Sequence, residues 1–501
     1  MRAKKDSMTL CPEVWDCLIV GAGVVGASLA RLLSRLELRV AVVEKAADVG
    51  MGASCRNSGV LHSGINYRPG SLRARLCMEG RNTFKQWCAA LGVPHKIPGK
   101  LVTAHDPREL EALDALKTQG EANGVPGLRR IGSGEVDSLQ PGIRALGALH
   151  VPSAGIVSPY AATIAFAEEA CLNGVSFFLH RTVRAIREAG GTFVLDTDAG
   201  PLRGRWVINA AGGAAGTLGR TMDPALPAVY PCRGEYLVMD REVGEAMRML
   251  IYPVPAPNAG GLGVHLTPTA DGNVLVGPSA EYLEDEEDNA CTADVLAKLV
   301  QEARRFWPEF PRAKIIGTYA GTRAKLTPPD EGGFADFFIE ESTRHQRLVH
   351  LLGLESPALT SAPAIARTVV EEIMGAREQF DHKPEDQLVP YAWPQRFDHL
   401  SEQAKKAHVA VHPDHGDIVC RCEGVTRHEV LAALDNPLGV ETLAGLKYRT
   451  RVTMGRCHGG YCLPRLVELL RNERGWPPER FQLKGKRSPL FAGFVKEPED
   501  A

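Results

Sequence analysis

Short apolar runs that break into glycine recur along this chain, and helical spacing follows them. Cys17 to Val20 is one such run; it enters Gly21-x-Gly23-x-x-Gly26 and continues into the periodic stretch Ala27 to Leu36. A second run, Arg39 to Val43, ends on Glu44. Their length and continuous apolar character predict two buried parallel strands around a helix. Leu72, Leu76, Phe84, Trp87 and Leu91 fall at helical spacing and predict a helix over 71–91, and Glu109 to Lys117 reads as a surface helix. From Val175 to Val207 short strands alternate with charged turns, and Arg205 to Asn209 runs into Gly212 and Gly213. The stretch from Leu237 to Val276 is β-like, with Asp271-Gly272 as a hairpin signal between two strands. Thr292 to Phe306 is an amphipathic helix, Arg347 to Gly353 a third strand meeting glycine, and Pro363 to Met374 a helix after it.

The first junction is a dinucleotide fingerprint in its full βαβ setting. Gly21 permits the tight turn, Gly23 lets backbone approach a pyrophosphate, and Gly26 lets the helix lie close on its strand. The helix N-terminus offers free N–H groups to phosphate, and Glu44 is placed to accept from a ribose hydroxyl. The small-residue loop Asp48 to Gly64 can lie against a flat ligand or serve only as a connector. Ala211-x-Gly213-x-x-Gly216 nearly repeats the fingerprint, but Asp223-Pro to Tyr230-Pro puts prolines where a crossover helix is needed. That strand, with Gly212 beside it, is therefore expected to touch the same ligand. Three strand–glycine–helix junctions predict one discontinuous nucleotide-binding domain with β-rich pieces inserted.

Length and charge narrow the class. At 501 residues two or three domains are expected, and a net charge of −2 gives no basis for nucleic-acid binding. No apolar run is long enough to span a bilayer. The start, Met1-Arg-Ala-Lys-Lys, reads as basic without a signal peptide, so a cytoplasmic protein is expected, meeting a membrane only through a partner. Cys11, Cys17, Cys55, Cys77, Cys88, Cys171, Cys232 and Cys291 are scattered and read as packing residues.

The other four cysteines decide the cofactor. Cys420-x-Cys422 and Cys457-x4-Cys462 stand beside helix starts, one of them the capping box Thr426–Glu429. Thiolates so placed are stabilised by backbone N–H groups and suit an iron–sulfur cluster; zinc is the alternative, although its usual spacing is two to four residues at both ends. Nicotinamide moves a hydride and a cluster takes one electron at a time. A flavin does both, so a dinucleotide fold joined to a cluster points to FAD.

Arg56-Asn-Ser-Gly-Val-Leu-His-Ser-Gly64, Gly99-Lys-Leu-Val102, Arg233-Gly-Glu-Tyr236, Leu262-Gly-Val-His-Leu-Thr-Pro268 and Gly353-Leu-Glu-Ser-Pro-Ala-Leu-Thr-Ser361 resemble L-2-hydroxyglutarate dehydrogenases/oxidases of the glycine/D-amino-acid oxidase superfamily. Residues Cys420 to Leu469 resemble the [2Fe-2S] module of anaerobic glycerol-3-phosphate dehydrogenase large subunits, although the related bacterioferritin-associated ferredoxin has two residues, not four, between its second pair. The resemblance implies FAD and a [2Fe-2S] cluster on Cys420, Cys422, Cys457 and Cys462. It places Gly21, Gly23, Gly26 and Glu44 on the ADP half, and Ser54, Asn57, Ser58 and Gly59 near the isoalloxazine. Gly353, Leu354, Ser356, Leu359 and Thr360 fall at its pyrimidine edge, and the helix start after Pro363 faces N1–C2=O.

The fold expected is α/β: a Rossmann-like FAD/NAD(P)-binding fold with an inserted β-rich α+β substrate domain and a small α-helical [2Fe-2S] C-terminal domain. The division is 14–85, 150–228 and 318–378 for FAD, 86–149 and 229–317 for substrate, 379–416 as linker, 417–475 for the cluster, and 476–501 as tail. The chemistry expected is oxidation of a small anionic secondary alcohol resembling L-2-hydroxyglutarate, with glycerol 3-phosphate as the alternative. His62 or His265 acts as base, His265 ahead, and Arg323 clamps a substrate carboxylate. Electrons then pass through the cluster to an acceptor protein or a partner flavoprotein subunit. An amine or amino-acid dehydrogenase and an electron-transfer subunit are the other classes.

Overall fold

The computed structural model describes residues 14–256 and 261–493; Cys11 and the last eight residues lie outside them. The chain opens with β1 (Val14–Val20), α1 (Val24–Leu33), β2 (Val40–Val43) and α2 (Leu72–Leu91), then leaves for β3 (Lys100–Ala104) and β4 (Gly147–Val151). It returns as α3 (Pro159–Leu172), β5 (Ser176–Phe178) and β6 (Leu202–Asn209). A second excursion makes β7 (Tyr230–Met239), β8 (Leu250–Pro253), β9 (His265–Pro268), β10 (Val274–Gly277), α4 (Ala293–Phe306) and β11 (Ile315–Lys325). The chain comes back as β12 (Leu348–Leu352) and α5 (Ala358–Arg367).

The returning strands lie side by side in parallel, in the order β5-β2-β1-β6-β12, with Cys17 between Val40 and Trp206 and Val207 against Leu348. Every residue of β2 and β12 is buried, as strands covered on both faces require. Leu29 and Leu33 of α1, Trp87 of α2, Phe166 of α3 and Ile365 of α5 fill one face. The three junctions read from the sequence thus meet in one sheet.

The two excursions also share a sheet. Leu250 of β8 pairs in parallel with Lys100 of β3, joining pieces 150 residues apart in sequence. Around that seam β4, β9, β10 and β7 pair antiparallel, and α4 covers one face with Leu299, Ala303 and Phe306. The boundary expected at 318 falls inside β11, which pairs with β7 from Tyr230–Lys325 to Met239–Ile315. A strand paired over its whole length cannot be divided, so β11 belongs to this second sheet.

Two further boundaries move. The helix expected from Pro363 begins at Ala358, and Pro363 lies inside it; the missing N–H costs one bond to the first turn only. The helix also runs on as a wider π turn over Thr368–Met374. The segment 379–416 lies along the first domain through Glu37 N to Asp381 O (2.8 Å) and Trp393 N to Leu91 O (2.7 Å), and carries α6 (Glu402–Val411). The last module has β13 (Ile418–Cys420), α7 (Arg427–Leu434), α8 (Leu443–Thr450) and α9 (Cys462–Arg474), with the capping box at Thr426 in place. Trp476 and Phe481 are buried in its core with Val430, Leu446 and Leu466, so what was expected as tail from 476 in fact completes that core. Among the described residues no helix is long and apolar enough to cross a membrane.

Candidate active site and cluster site

One cavity of about 520 Å³ runs from the fingerprint to the second sheet. At its first end the turn is tight enough to demand glycine. A Cβ on Gly26 would stand 2.0 Å from the Gly21 carbonyl oxygen, and Gly21 itself has φ +96°. The N-terminus of α1 carries no cap from its own flanking residue, so its first N–H groups face the cavity. Glu44 accepts from Ala22 N (2.7 Å) and Ala46 N (2.8 Å), which aims the carboxylate and leaves its remaining lone pairs for a ribose. Burial raises its pKa. Gly212 lines the same wall with open space where a Cβ would be.

Ser54 stands at this end as well. Its Oγ accepts from Val24 N at 2.8 Å, capping α1 across thirty residues at the fingerprint end of the cavity. Asn57 and Ser58 line the middle of the cavity with Leu354, Ser356 and Leu359, ahead of and within the first turn of α5. Gly59, Gly353 and Thr360 do not line it. Gly59 and Gly353 have positive φ and pack on the Val157 carbonyl and Leu326, while the Thr360 hydroxyl accepts from His62 N (2.9 Å) and ties α5 to the loop. These three shape the wall from behind.

At the far end His62, His265 and Arg323 come together, with Tyr236 and Tyr252. His265 Nδ1 lies 2.9 Å from the Gly263 carbonyl. A carbonyl only accepts, so Nδ1 carries the proton and Nε2 presents its lone pair, buried and without a partner among the described residues. The ring stacks on Tyr252 at 3.9 Å and 9°, and burial pushes its pKa down to about 3. His62 is held differently: Nε2 meets Ser356 Oγ at 3.0 Å, which meets Tyr67 OH at 3.3 Å, and its Nδ1 is orphaned. Its pKa is also lowered by burial.

Arg323 departs from a free two-pronged clamp. Nη2 donates to the Ser279 carbonyl (2.6 Å) and Nε to that of Cys232 (3.4 Å), leaving Nη1 without a partner among the described residues. Near the two histidines lies a further cation to which the sequence assigned no role. Lys100, 1% exposed, holds its amine 4.7 Å above the Tyr252 ring, and burial lowers its pKa to about 8. A second buried set, Lys325 and Arg73 on Glu355 (3.2 and 3.5 Å), backs the cavity wall that Glu355 lines. A lysine inside an otherwise apolar strand, Lys100-Leu-Val-Thr-Ala, was the available signal. The end of the cavity thus suits a small anion.

The four C-terminal thiols converge. Cys420 neighbours Cys462 and Cys422 neighbours Cys457. Cys420 falls to about 6, first through the bond from Cys462 and then through the Glu423 and Thr453 amides; the Tyr461 amide lowers Cys457. Arg451, Thr453 and His458 all have positive φ, a backbone that turns successive N–H groups inward. A Cβ on Gly455 would lie 2.1 Å from that of Cys422. Four thiols under a shell of amide donors fit a [2Fe-2S] cluster.

The module docks on the loop that borders the cavity. Arg449 of α8 reaches Asp48 (2.6 Å) and Glu168 (2.8 Å), all three buried. Arg451 reaches Asp271 (2.8 Å), and it shares Glu423 (2.7 Å) with Arg241 (2.5 Å).

Fold and site define a flavin-dependent oxidoreductase that carries an iron–sulfur module. Residues 16–372 match the family described as DAO, FAD dependent oxidoreductase, and residues 418–472 match the BFD-like [2Fe-2S] binding domain; the chain belongs to the first family and carries the second domain. It is 36% identical over 487 residues to a glycerol 3-phosphate dehydrogenase of Caloramator mitchellensis, covering 96% of this chain and 99% of that one. It is 30% identical to the mitochondrial L-2-hydroxyglutarate dehydrogenase of Arabidopsis thaliana, covering 73% of this chain and 85% of the relative. Among solved structures, L-α-glycerophosphate oxidase of Mycoplasma pneumoniae with FAD bound superposes with a TM-score of 0.71 at 28% identity, covering 76% of this chain and all of that one. FAD and a [2Fe-2S] cluster are therefore its cofactors, and it is an oxidoreductase.

Proposed function

We propose that this chain oxidises the secondary hydroxyl of glycerol 3-phosphate and delivers the electrons through its cluster to an external acceptor. The observation that carries the substrate is the relative that shares both modules end to end and is named for it. FAD supplies a two-electron acceptor and the cluster a one-electron exit when bound. His265 Nε2 takes the hydroxyl proton: it is neutral, its tautomer is fixed by Gly263, and no group among the described residues occupies the lone pair. Ser356 holds His62 by Nε2, which suits it to orienting substrate. Arg323 Nη1 and the buried cations Lys100 and Lys325 favour an anionic group at that end.

L-2-hydroxyglutarate is the second reading, supported by relatives at 30–31% identity over the FAD body and by the Gly353-x-Glu-Ser-Pro stretch. Anaerobic mixing of the purified protein with each compound tests both. Bleaching of the flavin by glycerol 3-phosphate at the lower concentration supports the first, bleaching by L-2-hydroxyglutarate alone the second, and bleaching by neither removes both.

A further inference from the structure

Four of the chain's 15 histidines fall between positions 408 and 428, where the arm meets the cluster module and away from the cavity and the four thiols. α6 ends at Val411 with His412 as its cap. The turn Pro413–Gly416 brings Asp414 and His415 round, and α7 presents His428 in its first turn. His428 Nδ1 lies 3.1 and 3.2 Å from the two Asp414 oxygens, and the His412 ring is centred 4.4 Å from the His428 ring. One ligand atom from each of His412, Asp414 and His428 lies within 4.8 Å of the others.

The group behind them sets their positions. His415 is buried, stacks on Phe397 at 4.7 Å and 11°, and meets Thr426 Oγ1 through Nδ1 at 3.1 Å. Its other neighbour is His428 at 4.2 Å, so His428 is backed by a ring that cannot move away. Asp414 and His428 are half-buried, and His412 is exposed, which leaves the cluster open to solvent on one side.

We propose that His412, Asp414 and His428 bind a divalent transition-metal ion of the zinc class, with water completing the shell, and that the ion clips the arm to the [2Fe-2S] module. Ligands about 2.0–2.2 Å from a tetrahedral zinc stand about 3.3 Å apart. Asp414 and His428 are already at that separation, and the exposed His412 side chain closes the rest. Two imidazoles and one carboxylate suit zinc and its neighbours, whereas magnesium and calcium take oxygen alone. One ligand pair comes from the arm and the third from α7, so an ion bound there binds the folded arrangement and stabilises it by mass action.

The test uses the holoenzyme with FAD and iron at full occupancy, so that the four cysteines are filled, freed of loosely held ions by a mild chelator. Calorimetric titration with Zn²⁺ is expected to show one saturable site and a raised unfolding temperature. His428→Ala and, separately, Asp414→Asn, which keeps the shape and hydrogen bond of the carboxylate, are each expected to weaken binding by about tenfold or more and to abolish the thermal shift while FAD and iron contents hold. Absence of a saturable site, or equal affinity in the wild type and in Asp414→Asn with full cofactor content, overturns the proposal.

Discussion

His265 is buried neutral, with its proton fixed on Nδ1 and its free nitrogen toward the cavity. Replacing it with Ala should slow anaerobic flavin reduction by about 10²–10⁴-fold; an unchanged rate would assign the proton to another group. Its pKa, down to about 3, also sets a pH dependence. Between that value and the ordinary histidine range the unfolded chain binds this proton and the fold does not, so its contribution to stability falls as pH drops through that window. The base itself stays competent there. Flavin reduction at saturating substrate should therefore hold its plateau from about pH 8 to about pH 5, and a break near the ordinary histidine value would contradict the assignment. Lys100→Met should raise the substrate concentration needed for half-maximal reduction far more than it lowers the limiting rate; an unchanged concentration dependence would remove Lys100 from anion binding. At this scale the sequence was partly legible. His62, His265 and Arg323 follow glycines or strand tips, which is where ligand-facing side chains occur. Lys100 stood inside the quoted stretch Gly99 to Val102 with no role of its own, because its burial against Tyr252 is a long-range fact. That Ser54 caps α1 was not legible, because the fold of its loop, not its composition, decides what it touches.

Elements with local signals were the most legible: the strand–glycine–helix junctions, the Asp271-Gly272 hairpin and the Thr426 capping box each rest on a few adjacent residues. α5 began five residues early because Pro363 was read as a start, whereas the helix holds it in its interior. β11 was assigned to the wrong sheet because pairing with β7 is a long-range fact. The cluster element makes a sharp prediction. Gly455→Ala puts a methyl 2.1 Å from Cys422 Cβ, so the purified variant should lose iron while keeping its FAD. Full iron content by metal analysis would show that the loop gives way and is no rigid cradle.

Across the whole molecule, the FAD body, the inserted sheet, the wrapping arm and the cluster module meet at a few buried ion pairs. Arg449 is the central one, and no sequence pattern announces it, because its partners Asp48 and Glu168 lie hundreds of residues away. Arg449→Met strands two buried carboxylates and should cost about 3–5 kcal/mol, read as a lowered unfolding temperature, with slower passage of electrons from flavin to cluster; equal stability would mean that water reaches the pair. The docking of α8 on the loop that borders the cavity ties the cluster module to the FAD body. The most direct measurement is an anaerobic titration with glycerol 3-phosphate, following flavin absorbance and the electron paramagnetic resonance of the cluster together. Flavin bleaching with the signal of a reduced [2Fe-2S] cluster growing in step is the predicted result. A bleached flavin beside a cluster that stays oxidised would contradict the account.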